Sequence, residues 1–347
     1  MFKFFLGGGG NQEKTDDVGG GGGDPMDLQA LPEGCIATVV SLTTPRDAGT
    51  MSSVSRSFRS AAESDAVWDK FLPPEIHTIM SSSSPSQPPL VSPSFTSKTK
   101  KELFLAVCDN PVLIEEGKLR FLFRTVLRSR VVIGMIMQSF SLDKWSGKKC
   151  YMIAARALSI VWADTPHYWR WISVPDSRFE EVAELISVCW LEIRGKIGTR
   201  MLSPSTLYKA FLVFKSIAGA HGFENQPVEV TVGLIGQEPT KHVVFLDVQR
   251  GQTQGQGYHV AGPWHIGLFN RRHIPGLQSF QSFQPREINE AQYPKERNDG
   301  WLEIEMGEFF CEGGEGGELE MTCMEVRGGQ WKGGLIFQGI EVRPKRM

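Results

Sequence analysis

The chain has 347 residues, room for two domains at about 150 residues each, and its 41% hydrophobic and 22% charged content excludes a disordered or fibrous chain. Its 37 basic and 39 acidic side chains nearly cancel, so no global field directs it to nucleic acid or to an anionic membrane. Six cysteines (Cys35, Cys108, Cys150, Cys189, Cys311 and Cys323) stand far apart, which argues against a metal site or disulfide framework and for buried, reduced thiols. That usage points to a cytoplasmic and/or nuclear protein.

Residues 1–25 read as a disordered tail, because two glycine runs flank a charged patch. The opening Met1–Leu6 is too short for a signal-peptide core. Residues 26–75 carry short helical patterns. Pro32 and Glu33 open the first, and Ile36, Val39 and Val40 recur at helical spacing. Thr44 is a natural N-cap before Pro45 in the second, whose apolar stripe runs Met51, Val54, Ser55 and Phe58. Ser64-Asp65 starts a third, closed by Pro73-Pro74. Three such helices bury too little to be very stable alone, which favours a module that docks on a partner.

Residues 76–118 form a linker and helical connector: Ser81–Ser97 is rich in Ser and Pro, and Lys100–Ile114 returns to helical spacing through Leu103, Phe104, Val107 and Leu113. Residues 119–138 are atypical, basic and β-branched. Leu119–Met137 is the chain's membrane candidate, but Arg120, Arg124, Arg128 and Arg130 each cost roughly 2.5–3.5 kcal/mol at a bilayer centre. It is not expected to span one.

From residue 139 to 347 the pattern changes to period-two alternation punctuated by glycine turns. Leu191-Ile193, Phe211-Val213, Val228-Val230-Val232, Leu302-Ile304-Met306 and Leu319-Met321-Cys323 read as strands. One helix is expected at Phe179–Ile186, and Gly251–Gln284 reads as a long loop. The fold class expected is α+β multidomain: a small all-α helical module followed by an antiparallel, jelly-roll-like β-sandwich.

Leu31-Pro32-Glu33-Gly34-Cys35-Ile36-Ala37, Thr44-Pro45-Arg46-Asp47-Ala48, Val54-Ser55-Arg56-Ser57-Phe58-Arg59 and Asp65-Ala66-Val67-Trp68, in that order, resemble an F-box. Ser141-Leu142-Asp143-Lys144-Trp145, Tyr168-Trp169-Arg170-Trp171, Trp190-Leu191-Glu192-Ile193-Arg194-Gly195, Asp299-Gly300-Trp301-Leu302-Glu303 and Gly339-Ile340-Glu341-Val342-Arg343-Pro344 are similar to the phloem-lectin family of plants. The first resemblance implies a Skp-type adaptor as partner and, through it, cullin and RING subunits. Leu31, Pro32, Ile36, Val40, Leu42, Pro45, Val54, Trp68 and Phe71 are apolar anchors suited to that interface. Gly49 departs from the pattern, at a mid-helix cost of roughly 1 kcal/mol relative to Ala.

The second resemblance implies binding of N-acetylglucosamine-containing glycans or glycoproteins through Trp162, Trp169, Glu318 and Glu325. Indole faces stack on pyranose rings and carboxylates accept from hydroxyls. Glu318 and Glu325 are seven apart, which on an unbroken strand sends them to opposite faces; Glu318, in a glycine-rich turn, is the favoured contact. Trp190 and Trp301 read as core. The family pattern lacks Leu119–Gln138, which reads as a translated retained intron; mature transcripts that always include the segment would remove that reading.

Three rivals stay open. Glu303 and Glu305 could form a hydrolytic carboxylate pair, though an acidic sheet face is more often simply solvated; no cofactor, metal or nucleotide motif accompanies them. The expectation is therefore a non-catalytic adaptor. The same adaptor could instead read an unmodified protein surface, or the chain could be a stand-alone carbohydrate-binding protein.

Overall fold

The computed structural model describes residues 31–81, 99–115, 136–224, 226–248, 292–314 and 316–346. The glycine-rich tail, the Ser/Pro linker after Ser81, the Gly/Gln loop and most of Leu119–Gln138 lie outside them. Helices come first: α1 (Glu33–Ser41), α2 (Pro45–Met51), α3 (Arg56–Glu63), α4 (Asp65–Phe71), α5 (Ile76–Ser81) and α6 (Lys100–Asp109). The strands follow as β1 (Val112–Glu115), β2 (Ile136–Leu142), β3 (Lys149–Ala154), β4 (Ser159–Ile160), β5 (Trp169–Ile172), β6 (Val182–Leu185) and β7 (Leu191–Gly198). The rest are β8 (Thr206–His221), β9 (Pro227–Leu234), β10 (Thr240–Phe245), β11 (Lys295–Glu296), β12 (Leu302–Cys311), β13 (Glu318–Glu325) and β14 (Gly333–Pro344).

The helices start where local chemistry satisfies their first amides. Thr44 Oγ1 accepts the Asp47 N–H at 3.2 Å while the Asp47 carboxylate accepts the Thr44 N–H at 3.4 Å, a reciprocal cap. Thr99 and Glu102 cap α6 reciprocally as well, while Ser55 on α3 and Ser64 on α4 each accept a single backbone N–H. Trp68 is buried between α3 and α6, donating its indole N–H to the Ala62 carbonyl at 2.7 Å. Its ring packs 5.5 Å from Phe71 and 5.3 Å from Phe104.

Two antiparallel sheets make the sandwich. The larger has nine strands in the order β1-β2-β3-β14-β8-β12-β11, with β6 also on β14 and β5 on β6; the smaller runs β10-β9-β13-β7-β4. Each inner face supplies alternate apolar residues, such as Leu319, Met321 and Cys323 from β13 and Leu212 and Phe214 from β8. The layers meet so closely at Gly195 that a Cβ there would lie 2.9 Å from both Ile340 and Leu158. A second, smaller core on the outer face of the large sheet gathers Met152, Phe179, Val213, Trp301 and Ile336. Beside it Glu341 is surrounded by Arg178, Arg297 and Arg343. Burial pushes its carboxyl up, but the three guanidiniums outweigh that and bring it down to about 2.

The helical module and the sandwich are not separate bodies on a string. Ile36, Val67, Phe104, Val107, Val112, Ile114 and Phe140 belong to one continuous apolar cluster with Leu212 and Ile340. Lys149 on β3 pairs with Glu75, the Arg46 N–H donates to the Trp145 carbonyl at 3.3 Å, and the Arg46 guanidinium sits 5.0 Å over the Trp145 ring. Gly147 (φ 70°) lets that turn press on the module: a Cβ there would stand 3.3 Å from Pro45.

Several sequence expectations need correction. The second helical pattern is two helices, α2 and α3, because the Ser55 hydroxyl caps a new helix at 3.3 Å from the Phe58 N–H. The connector helix ends at Asp109; Pro111 follows, and Leu113 belongs to β1. Phe179–Ile186 forms no helix: Val182–Leu185 is a strand whose side chains are buried on both faces, which erases the alternation that marks a strand. The sheet begins before Ser139, with β1 at Val112, and its second strand starts at Ile136 opposite Glu115. Cys35 is exposed, and Cys108 and Cys189 are half-buried. Burial raises the Cys108 and Cys323 thiols to about 12, and all six are free.

Candidate functional site

Trp162 leaves the sheet in the turn after β4. Its backbone sits at φ 61° and its ring is 39% exposed, a left-handed conformation that costs a bulky residue about 1–2 kcal/mol. Neighbouring groups hold it there. The Val161 carbonyl accepts the Trp169 indole N–H at 3.1 Å, and the Ala163 carbonyl accepts the Trp171 indole N–H at 3.2 Å. The Trp162 carbonyl itself accepts the Thr165 N–H at 2.9 Å. Arg156 lies 3.7 Å over the Trp171 ring and pairs with Glu181, bracing that prop in turn.

The Trp162 ring lies 5.2 Å from Tyr168, tilted 39°, and Tyr168 lies 6.3 Å from Trp331, tilted 35°. Trp331, in the turn between β13 and β14, is 54% exposed. The three rings form a row at one end of the sandwich. A cleft of about 260 Å³ next to Tyr168 is lined by Arg170, Glu184, Ile186, Ile217 and His221. The Tyr168 carbonyl accepts the Ile186 N–H at 2.9 Å, and Arg170 grips Glu184 through two hydrogen bonds of 2.7 and 3.0 Å. Trp190 is exposed nearby in sequence and donates to Glu192 at 2.9 Å, which holds that carboxyl below its ordinary range. Glu192 also accepts the Val161 N–H through its carbonyl at 3.1 Å.

The four glycan residues expected from the sequence therefore separate. Trp162 is displayed. Trp169 is 2% exposed and is packed 5.9 Å from Phe337; it props the turn and offers no face to a sugar. Glu325, at the aromatic end of β13 opposite Leu191, is buried. Its Oε1 accepts from Gln226 at 3.0 Å and from the Gly328 N–H at 2.8 Å, and it pairs with the fully buried Lys332. Glu318 is half-buried at the other end of β13, opposite Gly198 and 3.9 Å from Lys196. A rise of about 3.3 Å per residue puts it roughly 23 Å from Glu325, away from the row. The sequence reading did not single out Tyr168 or Trp331, and it took Trp190 as core where the structure leaves it exposed.

The helical module also sorts its anchors. Ile36, Val40, Pro45 and Trp68 are buried within it, and Leu31 and Phe71 are half-buried. Pro32, Leu42 (82% exposed) and Val54 (63%) face solvent, as does Val39, which the sequence reading left out. Buried members set the shape; the exposed ones are free to meet a partner.

The paired carboxylates of β12 are engaged elsewhere. Glu303 holds Arg343 at 2.6 Å and Arg297 at 2.8 Å, and Glu305 holds Lys209 at 2.7 Å, along a charged groove of about 610 Å³. Among the described residues no group of His, Cys, Asp or Glu is arranged to hold a metal ion, and no helix is long and apolar enough to cross a membrane.

Known proteins resemble both halves of the chain. The family described as Phloem protein 2 matches residues 148–344. F-box protein PP2-B1 of Arabidopsis thaliana is 41% identical over 331 residues, covering 91% of this chain and 90% of that protein. F-box protein PP2-B10 of the same plant is 38% identical, covering 92% and 94%, and its F-box protein VBF is 37% identical, covering 92% and 100%. Solved structures align loosely: a GH26-CBM35 mannanase of Podospora anserina has a TM-score of 0.28 at 8% identity, covering 57% of this chain and 28% of that one. That likeness carries no argument. With short helices ahead of an antiparallel sandwich, the family match over residues 148–344, and F-box protein relatives matched over at least 90% of their length, the chain belongs to the phloem protein 2 family as an F-box protein with a C-terminal phloem protein 2 domain.

Proposed function

We propose that the chain is the substrate-recognition subunit of a Skp-cullin-F-box ubiquitin ligase and that its sandwich binds N-acetylglucosamine-containing glycans or glycoproteins. Its work is binding. The helical module holds the adaptor, which carries the cullin and RING subunits, and the sandwich holds the target. The observation that carries the glycan reading is Trp162, exposed and held in a strained backbone by the indole N–H groups of buried Trp169 and half-buried Trp171. Strain that its surroundings maintain marks a position kept for more than packing, and an open indole face suits the apolar side of a pyranose. A shallow, stacked site of this kind binds at micromolar or weaker affinity, about −8 kcal/mol at best.

On the adaptor side, exposed Pro32, Val39, Leu42 and Val54 supply an apolar surface that the module itself leaves uncovered. The test is a glycan array probed with the full chain co-purified with a Skp-type adaptor. Retention on N-acetylglucosamine oligomers, lost in Trp162→Ala, supports the reading; an array with no retained glycan overturns it. Leu42→Asp with Val54→Asp should abolish adaptor co-purification without moving the melting temperature. Full retention of the adaptor by that double variant would place its interface elsewhere.

A further inference from the structure

Trp331 presents an indole to solvent from a backbone that has almost no freedom. Lys332 and Val188 exchange both backbone hydrogen bonds at 2.9 Å. A Cβ at Gly222 (φ 80°) would lie 2.3 Å from the Trp331 carbonyl, and one at Gly333 would lie 2.1 Å from the Ile186 carbonyl. The turn is thus clamped from two sides by backbone in direct contact. A rigid exposed tryptophan loses little freedom when a ligand covers it, which is the property of a binding anchor.

Directly beneath, Lys332 is fully buried, pairs with Glu325 and donates to the Cys189 carbonyl at 3.1 Å. Glu325 turns one oxygen to Gln226 and the Gly328 N–H and the other to Lys332. Its carboxylate is thereby buried, hydrogen-bonded through Oε1 and ion-paired through Oε2.

We propose that Trp331 is a glycan-contact residue completing the row of Trp162 and Tyr168, and that Glu325 is a positioning residue that acts on the site through Lys332 without touching the sugar. The proposal rests on the glycan reading above. Glu325 neutralises the buried ammonium next in sequence to Trp331. Without it, an uncompensated charge sits under the turn, and the turn opens to hydrate it. Loss of Glu325 then weakens glycan binding by displacing Trp331.

Titration of the full chain with N,N′,N″-triacetylchitotriose, followed by calorimetry with thermal melts alongside, tests both roles. Trp331→Ala should weaken binding by about tenfold or more at unchanged melting temperature, and Trp331→Phe should recover most of it. Glu325→Gln should lower both affinity and melting temperature. Glu325→Gln combined with Lys332→Met removes both charges and should restore both, to within about threefold in affinity. A residue that accepted hydrogen bonds from the sugar could not be rescued by changing Lys332. Undiminished binding by Trp331→Ala, while Trp162→Ala loses it, overturns the contact and leaves the glycan reading standing. A double variant that stays weak, folded or not, overturns the role given to Glu325. Failure of the unaltered chain to bind this or any arrayed glycan overturns both.

Discussion

Trp162 and Trp169 belong to one short stretch of sequence and do opposite work. The indole of Trp169 is inside, and its N–H secures the carbonyl that precedes Trp162. Removing it by Trp169→Ala should cost about 3–5 kcal/mol, a fall of roughly 10 °C in melting temperature. Trp162→Gly should leave the melting temperature level or slightly raised. Relief of about 1–2 kcal/mol of left-handed strain offsets the roughly 0.5–1 kcal/mol of extra chain entropy that glycine must lose. Equal losses in the two variants would put Trp162 in the interior and sink the assignment. Sequence could name this pair but not tell its members apart. Alternation along Tyr168-Trp169-Arg170-Trp171 says that neighbours face opposite ways, and not which way is in. Trp190 misleads for the same reason. Trp331 carries a faint signal, a large aromatic inside Gly328-Gly329-Gln330-Trp331-Lys332-Gly333-Gly334, where a turn has no core to fill. The partnership of Glu325 with Lys332 has none, because the two meet across a turn whose path only the folded sheet defines.

Among the elements, helix starts were legible because a cap is a local event. Thr44 and Ser64 act where their residue types and following acids place them. The break between α2 and α3 was less legible, since Met51, Val54 and Phe58 continue a helical spacing straight through the Ser55 cap. Buried strands fared worst: β6 is covered on both faces and β1 is four residues long after a proline. The pairing of β1 with β2 changes how the atypical segment is understood. Glu115 lies opposite Ile136 in an antiparallel ladder, so the chain leaves and re-enters the sheet between neighbouring positions. Replacing residues 117–134 by an Asn-Gly turn, the kind that joins adjacent antiparallel strands, should preserve the fold, adaptor co-purification and glycan retention. A replacement that extends to Gln138 should fail, because it deletes Gln138, which pairs with Ile114 on one side and Ile153 on the other, and Ile136, which pairs with Glu115. Circular dichroism and melting curves on the two deletions decide it; unfolding of the shorter one would make the segment part of the sandwich.

At the scale of the whole molecule, the two-part division seen in the sequence coexists with one core. Trp68 packs on Phe104, and the same apolar cluster runs through Val112 and Ile114 on β1 to Phe140 on β2. Composition shows where modules change character; it cannot show that their apolar faces meet, since that depends on the direction in which α6 and β1 leave the helices. A shared interior should melt as one. Calorimetry of the full chain should give a single transition whose calorimetric and van't Hoff enthalpies agree, and residues 26–75 expressed alone should lack a cooperative melt. Two resolved transitions would mean that the junction at Glu75, Arg46 and Trp145 contributes little.

That junction also sets a length and an angle. With Arg46 over Trp145 and Gly147 against Pro45, whatever is held on the aromatic row is carried at a fixed separation and bearing from whatever is held by Leu42 and Val54. Under the ligase and glycan reading proposed above, the chain acts as a ruler: the lysines of a captured target that reach the modifying centre are chosen by where its glycan sits, not by chance encounter along a tether.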